Sequence, residues 1–462
     1  MRKIIFSALV VLTTQIGTAQ SLIEYAVEDL KADFLELREH LETKNPITYL
    51  YRTREEVTIF LDSIEQNINK PMTELDFYRL ISPVSSFIKD GHNLIMPSTE
   101  TLSFIDQNPY NLPIQVAYIN NEVYVTANYS ANDLLQPQSK IYAINNHSID
   151  SILNRLYLVL PREGLQTQLT NYYINKWFRF FYHLHFGFEE SYKIEYSYLD
   201  DDVKEIVIRG LPLDDIIEKK KVDRPKKGIS VTMLDRVQHA AILNVPSFAP
   251  TTLKDAFNQR NFKKELDNCF DTIFHKNIKH LVIDVRENGG GNPVYAVYLL
   301  KYLMNEPFVQ AIEGRVVNNE EEDDVIKRTR KKWYPWYGIG RYKPKRKNYN
   351  GKVYVLISDG TFSAAVEFCS TLRKYKRATF LGVETGGNPI IMTGNYLKEY
   401  RALKNTGITH YSGSICTIYD ELKLNDGRGI IPAYPVQINI ENIILNIDAC
   451  LEKTISLMLE ND

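Results

Sequence analysis

Ser363 follows an apolar, β-branched run, Val353 to Ser358, that breaks at Asp359-Gly360 before a helix-like pattern begins. A hydroxyl on such a strand-to-helix turn stands clear of the sheet. The first N–H groups of the helix, which have no partner within it, then point toward any oxyanion formed beside the hydroxyl. A second segment could complete the chemistry. His280-Leu-Val-Ile-Asp284 reads as a buried strand, and it runs through Arg286 and Asn288 into Gly289, Gly290 and Gly291. Three glycines after a strand let the backbone approach a ligand with no Cβ in the way and can aim N–H groups into a concavity. The pair of segments predicts nucleophilic acyl chemistry, with the Ala364 N–H and one glycine N–H, Gly290 the candidate, forming the oxyanion hole.

These segments, with Gly382-Val-Glu-Thr-Gly-Gly-Asn-Pro389 after them, resemble the S41 serine peptidases, the tail-specific, tricorn-like and retinoid-binding-protein-related group. The matching positions are Asp284, Arg286, Asn288 and Gly289 to Gly291, then Thr361 to Ala365, then Gly382, Thr385 and Gly387. The similarity continues through Asp426-Gly-Arg-Gly-Ile-Ile-Pro432. The resemblance implies an α/β fold with a ClpP/crotonase-like catalytic core, an N-terminal helical region and a small PDZ-like β-rich module. It implies a serine-type peptidase acting through an acyl-enzyme on Ser363, with peptide or protein as substrate and no cofactor. Asp284, Arg286 and Asn288 are expected to hold the glycine loop through side-chain-to-backbone bonds, or to cap the strand end.

A serine hydroxyl needs a base. In tail-specific members a lysine serves, but counted from Ser363 without a gap its position falls on Asn388, and an amide cannot take the proton. Tricorn-like members use a histidine from before the core, and the Asp-Gly-His of Lys89-Asp-Gly-His-Asn93 makes His92 the candidate. The plain alternative is a turn that carries a surface histidine. The same resemblance points to Glu421 as the acid that supports the imidazole, with Asp420 equally near and either residue readable as a solvated loop acid. Glu384 reads as structural or substrate-facing. Asn388, and Val366 where this helix often carries a glutamate, keep open a non-catalytic binding protein for peptide or apolar ligand.

The positioning elements follow from periodicity. Residues 20–100 carry helix-period apolar positions such as Leu30, Phe34, Leu37 and Leu41. Residues 101–225 change to short strands, among them Ile114 to Ala117, Val123 to Ala127, Lys193 to Tyr198 and Glu205 to Ile208, with helices near Ile149 to Leu158 and Leu165 to Tyr182. Ser139 to Ile149 is similar to the strand-turn-strand end of a PDZ-like module, read as a packing domain or as a peptide-binding one. Residues 226–462 alternate strand and helix, which predicts a parallel sheet with its site beyond the strand carboxyl ends.

Composition excludes some classes. The 462 residues are 44% hydrophobic and 24% charged, with a formal net charge of −2. That is ordinary for a globular chain and gives no footprint for nucleic acid. Basic and aromatic residues interleave from Arg328 to Tyr337, and the stretch Glu313 to Asn350 reads as a lid over the cleft rather than a single-strand binder. Arg2 and Lys3, the apolar Ile4 to Leu12 and the small residues Gly17 to Ala19 read as a signal peptide over 1–19. The mature chain is then exported, periplasmic or secreted, with no retained membrane anchor, since the run is too short to span a bilayer. Cys269, Cys369, Cys416 and Cys450 show no metal-ligand spacing and read as buried hydrophobes, with a disulfide through Cys369 open. His183 and His185, with only Glu189 and Glu190 close in sequence, make a poor metal site, and no metal is expected.

Overall fold

The computed structural model describes residues 23–199, 201–220, 228–316, 338–394 and 400–460. The leader and the Arg328 to Tyr337 stretch lie outside the described residues. The chain forms two compact units: Met1–Pro161 with Tyr173–Asp223 and Asn395–Ser414, and Arg162–Tyr172 with Arg224–Gly394 and Ile415–Asp462.

In the first unit, helix α1 (Val27–Thr43) buries Leu30, Phe34, Leu37 and Leu41, the stripe its 3–4 spacing dictates. Helix α2 (Arg54–Gln66) starts on a capping box in which Thr53 and Glu56 exchange side-chain and backbone bonds. Strand β1 (Leu94–Met96) pairs with the returning Thr409–Tyr411, which pairs with Tyr400–Ala402. Asp33, fully buried on α1, ties this return down. Its carboxylate accepts the Thr406 N–H (2.8 Å), the Thr406 hydroxyl (2.6 Å) and the Asn405 N–H (2.9 Å), so the buried charge is compensated.

An antiparallel sheet follows in the same unit, in the order β2 (Ile114–Ile119), β3 (Glu122–Asn128), β4 (Lys140–Ile144), β5 (Ser191–Ser197) and β6 (Lys204–Arg209). The expected strand-turn-strand forms at Asn145-Asn146, both at positive φ (49° and 64°), the geometry that a two-residue hairpin turn demands. Helices α3 (Ile149–Val159) and α4 (Gln168–Phe186) carry the remaining apolar faces, and α4 is broken at Trp177. The helical region and this sheet share one core, from Leu30 to Ile208.

The second unit is built on a six-stranded sheet in the order β7 (Ser230–Met233), β8 (Ala240–Asn244), β9 (His280–Asp284), β10 (Lys352–Ile357), β11 (Thr379–Gly382) and β12 (Tyr434–Pro435). Only the β7–β8 pair is antiparallel. Helices α5 (Phe262–His275), α6 (Pro293–Leu303) and α7 (Ala364–Lys374) cover one face, where Leu281, Ile283, Val353 and Val355 point. Helix α8 (Ala449–Glu460) covers the other, packing Ile455 and Met458 on Val282, Tyr354 and Leu356. Burial on both faces is why these strands read as continuous apolar runs rather than alternating ones.

Three histidines of the first unit, His183 and His410 buried and His185 half-buried, are held neutral. Burial pulls His183 down to about 4 and His185 and His410 to about 3. Unfolded imidazoles titrate near 6.5, so unfolding takes up protons below that pH and stability rises with pH there. The first unit should therefore lose stability as pH falls from about 6.5 toward 4. Hydrogen exchange, corrected for its intrinsic rate, should show protection across Thr409–Tyr411 falling from about pH 7.5 to about pH 5, with a shallower fall in His410→Asn. Constant protection across that window would contradict this account.

Candidate active site

Strands β9 and β10 are parallel neighbours, with Asp284 opposite Leu356, so the loops leaving their carboxyl ends lie side by side. The Thr361 hydroxyl donates to Val285 O (2.9 Å) and the Phe362 N–H to Asn288 O (3.1 Å). Ser363 is the N-cap of α7, yet its side chain makes no capping bond. Its φ of 52° and ψ of −129° form a backbone conformation that side-chain-bearing residues rarely adopt. Such a residue costs on the order of 1–3 kcal/mol and persists where the surroundings over-determine it.

What over-determines it is the glycine loop. A Cβ built on Gly290, itself at φ +98°, would lie 2.6 Å from Ser363 Cβ and 2.9 Å from the Ala364 N. The backbone of Gly290 thus touches both the candidate nucleophile and the first helical N–H. Among the described residues the Ala364 and Gly291 N–H groups have no hydrogen-bond partner. The Gly290 N–H differs from expectation, for it donates to Asn288 Oδ1 at 2.9 Å.

Of the three residues expected to hold this loop or cap the strand end, two make side-chain-to-backbone bonds: Asp284 Oδ1 accepts the Arg286 N–H at 3.1 Å, capping the strand end, and Asn288 holds the loop. Asn288, fully buried, accepts from Gly290 and donates Nδ2 to Val245 O at 2.9 Å. Arg286 instead pairs with Asp284 (2.6 Å) and Asp448 (2.7 Å), bracing the base of α8. Nothing in local sequence announces Asp448 as a partner 162 residues away.

Asn388 is buried, with Oδ1 accepting the Ile390 N–H (2.8 Å) and Nδ2 donating to Asn425 (2.7 Å), a turn-forming amide. Glu384 accepts two bonds from Arg428 (2.8 and 2.5 Å) and one from the Gly429 N–H (2.8 Å), which zips the Gly382 segment to the Asp426 to Pro432 segment. Glu421 is exposed and pairs with Lys423 at 2.6 Å, while Asp420 pairs with Lys374 at 3.2 Å. His92 belongs to the first unit, where its N–H donates to Asp90 Oδ1 (3.0 Å) and Asn45 donates to Asp90 Oδ2 (2.7 Å). Burial lowers the His92 pKa against the opposing pull of Asp90.

Two acids escaped the sequence reading. Glu367, one turn into α7, is buried between Tyr419 (2.8 Å) and Gln310 (2.8 Å), and burial pushes its carboxyl up to about 7. Asp359, in the turn before Ser363, is raised to about 7 by burial and by Glu287. The available signal was a lone acid in the otherwise apolar first turns of α7. All four cysteines are free and buried, so the disulfide through Cys369 does not form.

Residues 239–424 match the model for peptidase family S41. That stretch, 186 of the 462 residues, is similar to the S41 family. A tail-specific protease of Haemophilus influenzae (strain ATCC 51907 / DSM 11121 / KW20 / Rd) is 22% identical over 276 residues, 53% of this chain and 34% of that protein. This chain thus matches about a third of the relative's length. Two crystal structures of mature CPAF, one complexed with lactacystin, superpose with TM-scores of 0.67 at 14% identity. Each match covers 94% of this chain and 98% or 99% of the other, and establishes a mixed α/β fold of the kind those structures have.

The contact of Gly290 with Ser363 is testable by itself. Gly290→Ala adds a Cβ against Ser363 and strains a positive φ, so it should cost more than about 1 kcal/mol in urea unfolding. Gly289→Ala, which meets nothing within 4 Å, should cost far less. Equal stability of the two variants would remove the close approach.

Proposed function

We propose that the chain is an exported serine-type peptidase, cleaving peptide bonds through an acyl-enzyme on Ser363. The observation that carries this reading is the contact of Gly290 with both Ser363 and the unpartnered Ala364 N–H. Attack of Ser363 Oγ on the scissile carbonyl moves the hydroxyl proton to the base. The same proton goes to the leaving amine, and water then hydrolyses the ester by the same exchange. The oxyanion donors are the Ala364 N–H and a glycine N–H; for Gly290 to serve, its bond to Asn288 must be given up. His92 is the base, a choice resting on its Asp-Gly-His sequence, and its lowered pKa keeps a neutral imidazole available below the ordinary range. Glu421 supports it only on leaving Lys423.

The leader over 1–19 directs export to the periplasm or medium, residues 20–100 and 101–225 serve as helical region and PDZ-like module, and 226–462 as a ClpP/crotonase-like catalytic domain. Among the described residues no helix is long and apolar enough to cross a membrane. The engaged amide of Asn388 favours the second reading, a binding protein without turnover.

Labelling separates the two. A fluorophosphonate should modify Ser363 and leave Ser363→Ala unmodified; labelling that persists in the variant removes Ser363 from the chemistry, and an unlabelled, folded wild-type chain favours the binding protein.

If His92 is the base, activity needs the neutral imidazole and so rises with pH, through a midpoint below the ordinary value of about 6.5. His92→Gln should lower turnover by about 10²- to 10⁴-fold and abolish that limb. A variant with an unchanged pH profile would assign His92 to structure.

A further inference from the structure

The first unit holds a cavity of about 220 Å³ between the outer edge of β2 and the part of α4 that follows its break. A dry apolar cavity of about 150 Å³ already accommodates benzene. Ile114, Val116 and Phe178 supply apolar lining. Most of the polar lining is committed. The Asn175 amide accepts the Tyr118 N–H (2.7 Å) and donates to Tyr118 O (3.3 Å). Gln115 accepts the Tyr129 hydroxyl (3.1 Å), and His183 accepts the Leu112 N–H (3.1 Å).

Arg179 is the exception. Among the described residues its guanidinium makes no hydrogen bond or ion pair, although it is partly buried in the cavity wall. Burial lowers its pKa, with Tyr129 opposing. A desolvated cation without an acceptor is costly, and a carboxylate offers the bidentate partner that a guanidinium fits. The break at Trp177 (φ −134°, ψ 27°) lies in this same wall, two residues before Arg179. Charges at the rim are Lys176, Lys220 and the exposed Asp106, a positive balance.

The occupant is constrained by what is already covered. An extended chain adding to β2 would need the outward N–H and C=O of Tyr118, and Asn175 holds both. We propose that this cavity binds a small monocarboxylate with a short apolar arm, the carboxylate on Arg179 and the arm against Ile114, Val116 and Phe178.

The test uses the full chain and calorimetric titration with hexanoate and phenylacetate against hexanamide and phenylacetamide. A charge-assisted bond to Arg179 should make the acids bind at least about tenfold more tightly than the amides. In Arg179→Gln, checked for fold by circular dichroism, that difference should vanish. Equal binding of acid and amide by the unmodified chain would overturn the proposal, as would no saturable uptake of either acid. So would an acid preference that survives in folded Arg179→Gln. Preference for a pentapeptide with a free C-terminus over hexanoate would replace it with strand addition. The acid–amide comparison decides the matter even if the variant fails to fold.

Discussion

Asn288 is the residue on which the geometry around Ser363 depends. Its side chain reaches Val245 at the end of β8 and the Gly290 N–H in its own loop, while its main-chain oxygen accepts from Phe362 in the loop after β10. One buried residue therefore ties three consecutive strand ends together. An unsatisfied polar group at this depth would cost on the order of 1–3 kcal/mol, so the three ends are held to a common arrangement. The same amide occupies the N–H that sequence reasoning reserved for an oxyanion. Holding the loop and offering that N–H to a ligand are competing uses of one bond.

The second unit was legible because its signals are local. Buried parallel strands leave apolar runs such as Leu281 to Val285, and the breaks at Gly289 and Asp359-Gly360 mark their ends whatever the tertiary context. Strand order then follows from alternation of strand and helix, and with it the meeting of the glycine loop and Ser363. The α/β assignment and the similarity to the S41 family over residues 239–424 stand on these features.

Side-chain partnerships were less legible. The pairing of Arg286 with Asp448, of Glu384 with Arg428 and of Glu367 with Tyr419 depends on which faces tertiary packing brings together, and spacing in the chain does not encode that. The pairing of exposed Glu421 with Lys423 is likewise set by local packing rather than by any motif. Asp33 has no local signal at all, since its partners lie more than 370 residues away.

That last tie bears on how the chain is made. A ribosome releases the first 161 residues of the first unit early, but β1 stays an open edge until Thr409–Tyr411 emerges, and Asp33 lacks its donors until Asn405 and Thr406 follow. Contacts of such long sequence separation form late and slowly. During synthesis the nascent first unit thus carries an acid without its donors and an unpaired strand, features that promote off-pathway pairing. Any fragment that stops short of residue 400 inherits that condition permanently.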